Sequence, residues 1–174
     1  KELSESKPVQ VLMPKGDMVY PMSQHIGAPA TPLVKKGDQV LVGQKIGEAS
    51  GFISANVICS VSGTVKAVEM RRVASGAMVN SIVVTNDGEY NTVEGLGADR
   101  DPSTLSKQDI RTIVKEAGIV GLGGAGFPTN VKLSPKDENA IDYVIVNGAE
   151  CEPYLTSDYS MLIEETEKIV GGLK

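Results

Sequence analysis

Tryptophan is absent from this chain, and phenylalanine and cysteine occur twice each and histidine once among its 174 residues. Each shortage excludes something. Cys59 and Cys151 lie far apart without a C-x-x-C partner, so they build neither a disulfide framework nor a metal cluster, and such sparse usage suits a reducing compartment. The lone His25 has no Cys, His or carboxylate companion in the pattern of a metal site. No apolar run approaches the length of a membrane span, and the opening Lys-Glu-Leu-Ser-Glu-Ser-Lys lacks signal-peptide character. A formal net charge of −5, with no basic stretch interleaved with aromatics, argues against nucleic-acid binding; residues 66–72 come nearest and are few. With 41% hydrophobic residues the chain can bury a core, and its length suits one small domain plus part of another. It opens without methionine and stops at Val170-Gly-Gly-Leu-Lys174, just after a helical pattern, which is the look of an excised piece.

Glycine, by contrast, is plentiful, and five of the 19 fall within residues 118–126. Glycine costs conformational entropy and adds nothing to a core, so such density marks positive φ angles or close approach to a ligand. The bare amides could cradle an anion. Gly121-x-Gly123-x-x-Gly126 also fits the dinucleotide fingerprint, which demands a strand before it and a helix after it. That context is missing: Phe127-Pro128 follows at once, and proline drives its predecessor out of the α region.

Before the loop, residues 9–87 consist of short apolar runs punctuated by glycine, at 9–13, 18–22, 31–34, 40–46, 55–59, 63–71 and 79–85, which predicts a small all-β unit. Val34-Lys-Lys-Gly-Asp-Gln-Val-Leu-Val-Gly-Gln-Lys-Ile46 and Val73-Ala-Ser-Gly-Ala-Met-Val-Asn-Ser-Ile82 each place a tight turn before an apolar pair. Within this unit Gln24-His-Ile-Gly-Ala-Pro-Ala-Thr-Pro32 holds the only histidine. Either His25 touches a cofactor through a hydrogen bond, or it pins a Pro-rich loop; the second reading is preferred.

Residues 88–105 are polar and form a connection ending in Asp101-Pro102. Ser106-Lys-Gln-Asp109 is a capping-box start, Ile110, Ile113, Val114 and Ala117 follow at helical spacing, and Gly118 supplies the stop. Tyr143-Val-Ile-Val-Asn147 predicts a buried parallel strand, which puts Asn147-Gly-Ala-Glu-Cys-Glu-Pro153 at a strand's carboxyl end, where α/β sheets hold ligands. Tyr159, Leu162, Ile163 and residues 166–170 then recur on one helical face, with Glu164 and Lys168 spaced as an ion pair. The expected fold is α+β: an all-β domain over 1–90, then the front of an α/β domain over 91–174 whose remaining strands lie outside the chain.

Two families resemble these motifs. The β-unit is similar to biotinyl/lipoyl-type barrel-sandwiches, and Ser60-Val-Ser-Gly-Thr-Val-Lys-Ala-Val68 resembles the segment after their modified lysine. No lysine lies between Gly47 and Val65, so the carrier chemistry fails while the fold resemblance stands. Gly121-Leu-Gly-Gly-Ala-Gly-Phe-Pro-Thr-Asn-Val-Lys132 with Asn147-Gly-Ala-Glu-Cys-Glu-Pro153 resembles the flavin- and NADH-binding region of the 51-kDa-type subunit of respiratory complex I. Together with Gln24-His-Ile-Gly-Ala-Pro-Ala30 and Glu150-Cys-Glu-Pro-Tyr-Leu-Thr156, nearly the whole chain resembles the N-terminal part of the C subunit of the Rnf electron transport complex.

That resemblance implies a Rossmann-like FMN-binding domain in a subunit that exchanges electrons between NAD(H), FMN and two 4Fe–4S clusters, with ferredoxin reached indirectly through the complex. It implies partnership with the other Rnf subunits and a peripheral place on the cytoplasmic side of the membrane, without a span of its own. Gly121, Gly123, Gly124 and Gly126 would line the flavin and Lys132 would stand beside it. Asn147 and Glu150 match flavin-contacting positions, while Phe127 and Glu152 match positions facing the nicotinamide nucleotide. No catalytic side chain and no metal ligand is implied within these residues. Leu122, Ala149 and Cys151 depart from arginine, aspartate and serine in complex I subunits, and Cys151 is expected to be a packed thiol. Later segments of the family complete the pocket and bind the clusters, so the piece alone is expected to be inactive and mostly flavin-free. Alternatives are a soluble Rnf-C-like flavoprotein such as a cobalamin reductase, or a non-catalytic docking module.

Overall fold

A computed structural model describes all 174 residues. They group into two compact units, one of Pro14–Pro135 and one of Lys1–Met13 together with Lys136–Lys174.

The first unit holds seven strands: β1 (Asp17–Pro21), β2 (Thr31–Pro32), β3 (Gln39–Val40), β4 (Lys45–Glu48), β5 (Val57–Ile58), β6 (Gly63–Arg72) and β7 (Met78–Asn86). They form two antiparallel sheets, ordered β1-β7-β6-β3 and β2-β4-β5. The long β6–β7 hairpin is the spine, and its turn is closed by Val73 N–H donating to Ala77 O and Gly76 N–H to Val73 O. A bulge between Val65 and Ala67 shifts the ladder register. Met22, Val40, Ile46, Val57, Val65, Ile82 and Val84 fill the interior between the sheets. Burying each such side chain fully is worth about 1.5–3 kcal/mol, which makes this core the main stabilising term. Tyr20 ends among them with its hydroxyl satisfied, accepting from Ser60 N–H at 3.1 Å.

Two expected strands differ. Residues 40–46 do not form one strand, because Gly43 takes a positive φ of 85° and Gln44 N–H bonds back to Leu41 O. The chain there crosses from the four-stranded sheet, at β3, to the three-stranded one, at β4. Residues 9–13 pair with no strand and belong to the other unit, where Val11 and Leu12 are exposed.

Helix α1 (Lys107–Glu116) follows with both halves of the capping box formed: Asp109 N–H donates to Ser106 Oγ at 3.2 Å and Ser106 N–H to the Asp109 carboxylate at 2.9 Å. Its stop is Gly118 at φ +65°, as the sequence predicts. A four-residue helix, α2 (Thr129–Lys132), follows the glycine-rich loop.

In the smaller unit the expected single helix after residue 156 is two, α3 (Ser157–Glu164) and α4 (Thr166–Leu173). Glu165 leaves helical geometry (φ −119°, ψ 29°), and the Thr166 hydroxyl donates to Ile163 O at 3.1 Å, so the side chain takes up a carbonyl at the break. The break also resets the ion pair: Lys168 meets Glu165 at 2.7 Å, while Glu164 accepts the Val9 amide at 3.0 Å. Tyr143-Val-Ile-Val-Asn147 is neither buried nor a strand; Tyr143 and Ile145 are each 84% exposed. The run has the composition of a strand, but none of the seven strands pairs with it, and a ladder needs a partner. No helix is long and apolar enough to cross a membrane.

Candidate functional site

The glycine loop is pinched at its neck. Val120 and Pro128 face each other in an isolated antiparallel bridge, Gly121 N–H donates to Phe127 O at 2.9 Å, and Thr129 N–H donates to Ile119 O at 3.0 Å. Between these bonds Gly123, Gly124 and Gly126 take φ values of 78°, 60° and 61°, a region L side chains resist. Leu122 stands exposed at the tip. The amides of residues 122–127 donate to no acceptor of the chain, and Gly123, Gly124 and Ala125 are exposed. Lys132, the last residue of α2, folds back over the neck: a Cβ added at Gly121 would lie 2.8 Å from its Nζ. The result is a bare backbone bend with uncommitted N–H groups and a cation at its rim, the chemistry of an anion cradle. Phe127 is half-buried beside it and Pro128 fully buried.

Behind the loop, the β-unit sets its position. Asn56 interrupts an apolar stretch, and its side-chain amide donates to Lys115 O and Glu116 O at 3.2 and 3.4 Å; Lys115 O also accepts from Gly118 N–H, while Glu116 O takes no backbone amide. A Cβ on Gly118 would come within 2.4 Å of Asn56 O, so only glycine fits. Lys45 on β4 bonds Glu116 at 2.9 Å, and that hydrogen bond holds the lysine's pKa above its ordinary range. His25 is buried; its Nε2 accepts from Ala55 N–H at 3.2 Å, which leaves Nδ1 as the protonated nitrogen, donating to Ile26 O at 3.1 Å. The histidine therefore pins the Pro-rich loop, as preferred from the sequence. A cavity of about 300 Å³ lined by Tyr20, His25, Asn56, Ser60, Gly118 and Val120 lies in this region.

Asn147, Glu150 and Glu152 belong to the smaller unit. Asn147 Oδ1 accepts from Ala149 N–H at 3.1 Å, an Asx turn. Gly148 lies against α3, since a Cβ there would meet Leu162 Cδ1 at 2.6 Å. Glu150 adopts φ +65° and sends its carboxylate to the start of α3, accepting from Tyr159 N–H at 3.0 Å, Asp158 N–H at 3.2 Å and Ser157 Oγ at 3.3 Å. Thr156, at the N-cap position, makes no side-chain cap, so Glu150 caps the helix from outside the usual sequence window. These bonds, the Tyr159 amide first, hold the Glu150 carboxyl below its ordinary range. Glu152 is exposed. So is Cys151, which corrects the expectation of a packed thiol: no layer of its own unit covers the turn, and Cys59 is the enclosed cysteine.

The loop residues Gly121, Gly123, Gly124, Gly126, Phe127 and Lys132 thus share one unit, and the three turn residues share the other. Sequence reasoning missed Asn56, whose only signal is a polar residue inside an apolar run, and missed the capping role of Glu150.

Residues 1–89 match the family described as the RnfC Barrel sandwich hybrid domain, and residues 114–174 match the Nuo51 FMN-binding domain. The chain is 49% identical over 166 residues to the C subunit of the Na(+)-translocating ferredoxin:NAD(+) oxidoreductase complex of Acetobacterium woodii, covering 90% of this chain and 35% of that protein. It is 41% identical over 174 residues to the C subunit of the proton-translocating ferredoxin:NAD(+) oxidoreductase complex of Clostridium ljungdahlii, covering all of this chain and 38% of that protein. To the C subunit of the ion-translocating oxidoreductase complex of Rhodobacter capsulatus it is 44% identical over 155 residues, 88% of this chain and 30% of that one. The chain therefore spans 30–38% of the length of these three relatives. With just over half of its residues matched by the first family, it belongs to the RnfC family, as a barrel-sandwich N-terminal domain followed by sequence of the Nuo51 FMN-binding type.

Proposed function

We propose that this chain is the cofactor-holding front of a C subunit in an ion-translocating ferredoxin:NAD(+) oxidoreductase complex, divided into a β-sandwich domain over 1–90 and an FMN- and NADH-binding domain over 91–174. The observation that carries the reading is the loop of residues 122–127, whose six amides are uncommitted, with Lys132 over its neck. Such a bend accepts an anionic, flat cofactor without displacing side chains. FMN, when bound, supplies the chemistry of accepting two electrons from NADH and passing them on singly.

The roles of this chain's residues follow from their types. Gly121, Gly123, Gly124 and Gly126 let the backbone approach the cofactor. Lys132 offsets negative charge on it. Phe127 offers a ring face to the nicotinamide nucleotide and Glu152 a carboxylate acceptor to its hydroxyl or amino donors. Asn147 bonds the flavin from the acidic turn. The Glu150 carboxylate is engaged on α3, so its part is to hold that turn in place, and its contact with flavin runs through the turn. Two 4Fe–4S clusters, the other Rnf subunits and, through them, ferredoxin complete the path, with the subunit peripheral on the cytoplasmic side of the membrane.

The test is an anaerobic NADH titration of the subunit at the full length of its relatives, reconstituted with FMN. Bleaching of the flavin absorption is the expected result. Bound FMN that does not bleach would favour a docking role, and failure to bind FMN would remove the reading altogether.

A further inference from the structure

We propose that His25 is a positioning residue for the glycine loop, so that the β-sandwich sets nucleotide affinity at a loop it does not itself supply; this rests on the flavin reading above. Three sets of contacts line up. The tip between β4 and β5 grips the Pro-rich loop: Ala28 N–H donates to Ile53 O at 2.9 Å, Ser54 Oγ donates to Ala28 O at 2.8 Å, and Ala55 N–H donates to His25 Nε2. The Pro-rich loop in turn grips the glycine loop, with Ile26 N–H donating to Ala125 O at 2.9 Å. Finally, Gly126 lies so close to that loop that an added Cβ would fall 2.9 Å from Gln24 O and 3.2 Å from His25 Cα.

His25 is the joint between the first and second sets. Its imidazole bridges Ala55 N–H and Ile26 O, two backbone groups on opposite sides, and in doing so orients the peptide that follows Ile26 N–H, the donor to Ala125. The bond from Ala55 is buried, so an apolar replacement takes away the one acceptor the fold gives that amide. The loop's outward amides have no partner in the chain, so their direction is set by the bonds at the neck, by the close packing of Gly126 and by the bond at the Ala125 carbonyl. Freeing the carbonyl side lets those amides wander, and a cradle that must be ordered on binding binds less tightly.

The test uses His25→Leu, which removes both imidazole bonds, and His25→Gln, whose amide oxygen replaces the acceptor for Ala55. Two readouts are needed: hydrogen exchange at the Ile26 and Gly121 amides, which needs no flavin, and FMN affinity of the subunit at the length of its relatives. In His25→Leu, exchange at Ile26 and Gly121 is expected to rise about tenfold and FMN affinity to fall about tenfold, with β6 and β7 amides unchanged, and His25→Gln is expected to restore most of both. Unchanged exchange at Ile26 and Gly121 in His25→Leu, or equal losses in Leu and Gln variants, overturns the proposal. Should His25→Leu fail to fold, His25→Asn, too short to reach Ala55, is compared with His25→Gln: a looser Ile26 amide in Asn alone supports the proposal and equal behaviour overturns it. If the unaltered subunit binds no FMN, the flavin reading falls while the exchange data still decide the role of His25.

Discussion

In the unit Pro14–Pro135, Ile46, Ile82 and Val84 are fully enclosed, whereas in the unit of Lys1–Met13 with Lys136–Lys174 no apolar side chain is buried and only Thr156 and Ser160 are. Both have apolar residues in strand- or helix-forming order. The difference lies in pairing. β7 is paired with β1 on one side and β6 on the other, and its Ile82 and Val84 pack in one core with Met22, Ile46 and Val57, whereas the same kind of residues in 143–146 have neither partner strand nor cover. The larger unit is held by packing, and the smaller by local hydrogen bonds such as those of Glu150 at α3.

Core truncation should break this contrast most plainly. Ile82→Ala is expected to destabilise by about 2–5 kcal/mol in urea unfolding, while Ile145→Ala stays within about 0.5 kcal/mol. Equal effects would mean that residue 145 is packed in solution. Next comes a glycine pair within the larger unit. Gly118→Ala puts a methyl 2.4 Å from a backbone oxygen at a positive φ and should lower stability by about 1–3 kcal/mol, whereas at Gly121 the nearest atom is the movable end of Lys132 and the cost is below about 1 kcal/mol.

The smallest effect concerns acid. The Glu150 carboxylate is held below its ordinary value of 4.5, so its contribution to the smaller unit is complete above about pH 4.5 and is lost as the pH falls through the lower folded-state value. Because the group is still partly exposed to solvent, the loss is modest. It should register as faster exchange of the Asp158 and Tyr159 amides in acid, with the β7 amides unaffected; parallel changes in both units would contradict a local cap.

What could be read from the sequence follows the same division. The capping box at Ser106 and Asp109 is legible because its whole mechanism lies within four residues. The β6–β7 hairpin is legible because its β-branched run and its turn are contiguous. Residues 9–13 and 143–147 share that composition, yet composition does not supply a partner strand. The crossing at Gly43 hid inside one apolar run for a related reason, since which sheet each half joins depends on distant residues. At the site, glycine density and Lys132 were visible, and the structure brings Lys132 to Gly121. The supports were not: Asn56 reaches carbonyls some sixty residues on, and Ile26 reaches a carbonyl about a hundred residues on, with no periodicity to announce either.

The central claim is that the glycine bend and its rim cation hold FMN. Lys132 is exposed and packs little, so Lys132→Ala should leave folding intact and remove only charge and a hydrogen-bond donor. FMN binding by the subunit at the length of its relatives, followed by flavin absorbance at equilibrium, is therefore the most direct measurement. The account predicts one FMN per chain in the unaltered protein and an affinity about tenfold weaker in Lys132→Ala, with an unchanged thermal midpoint; equal FMN content and affinity in the two proteins would contradict it.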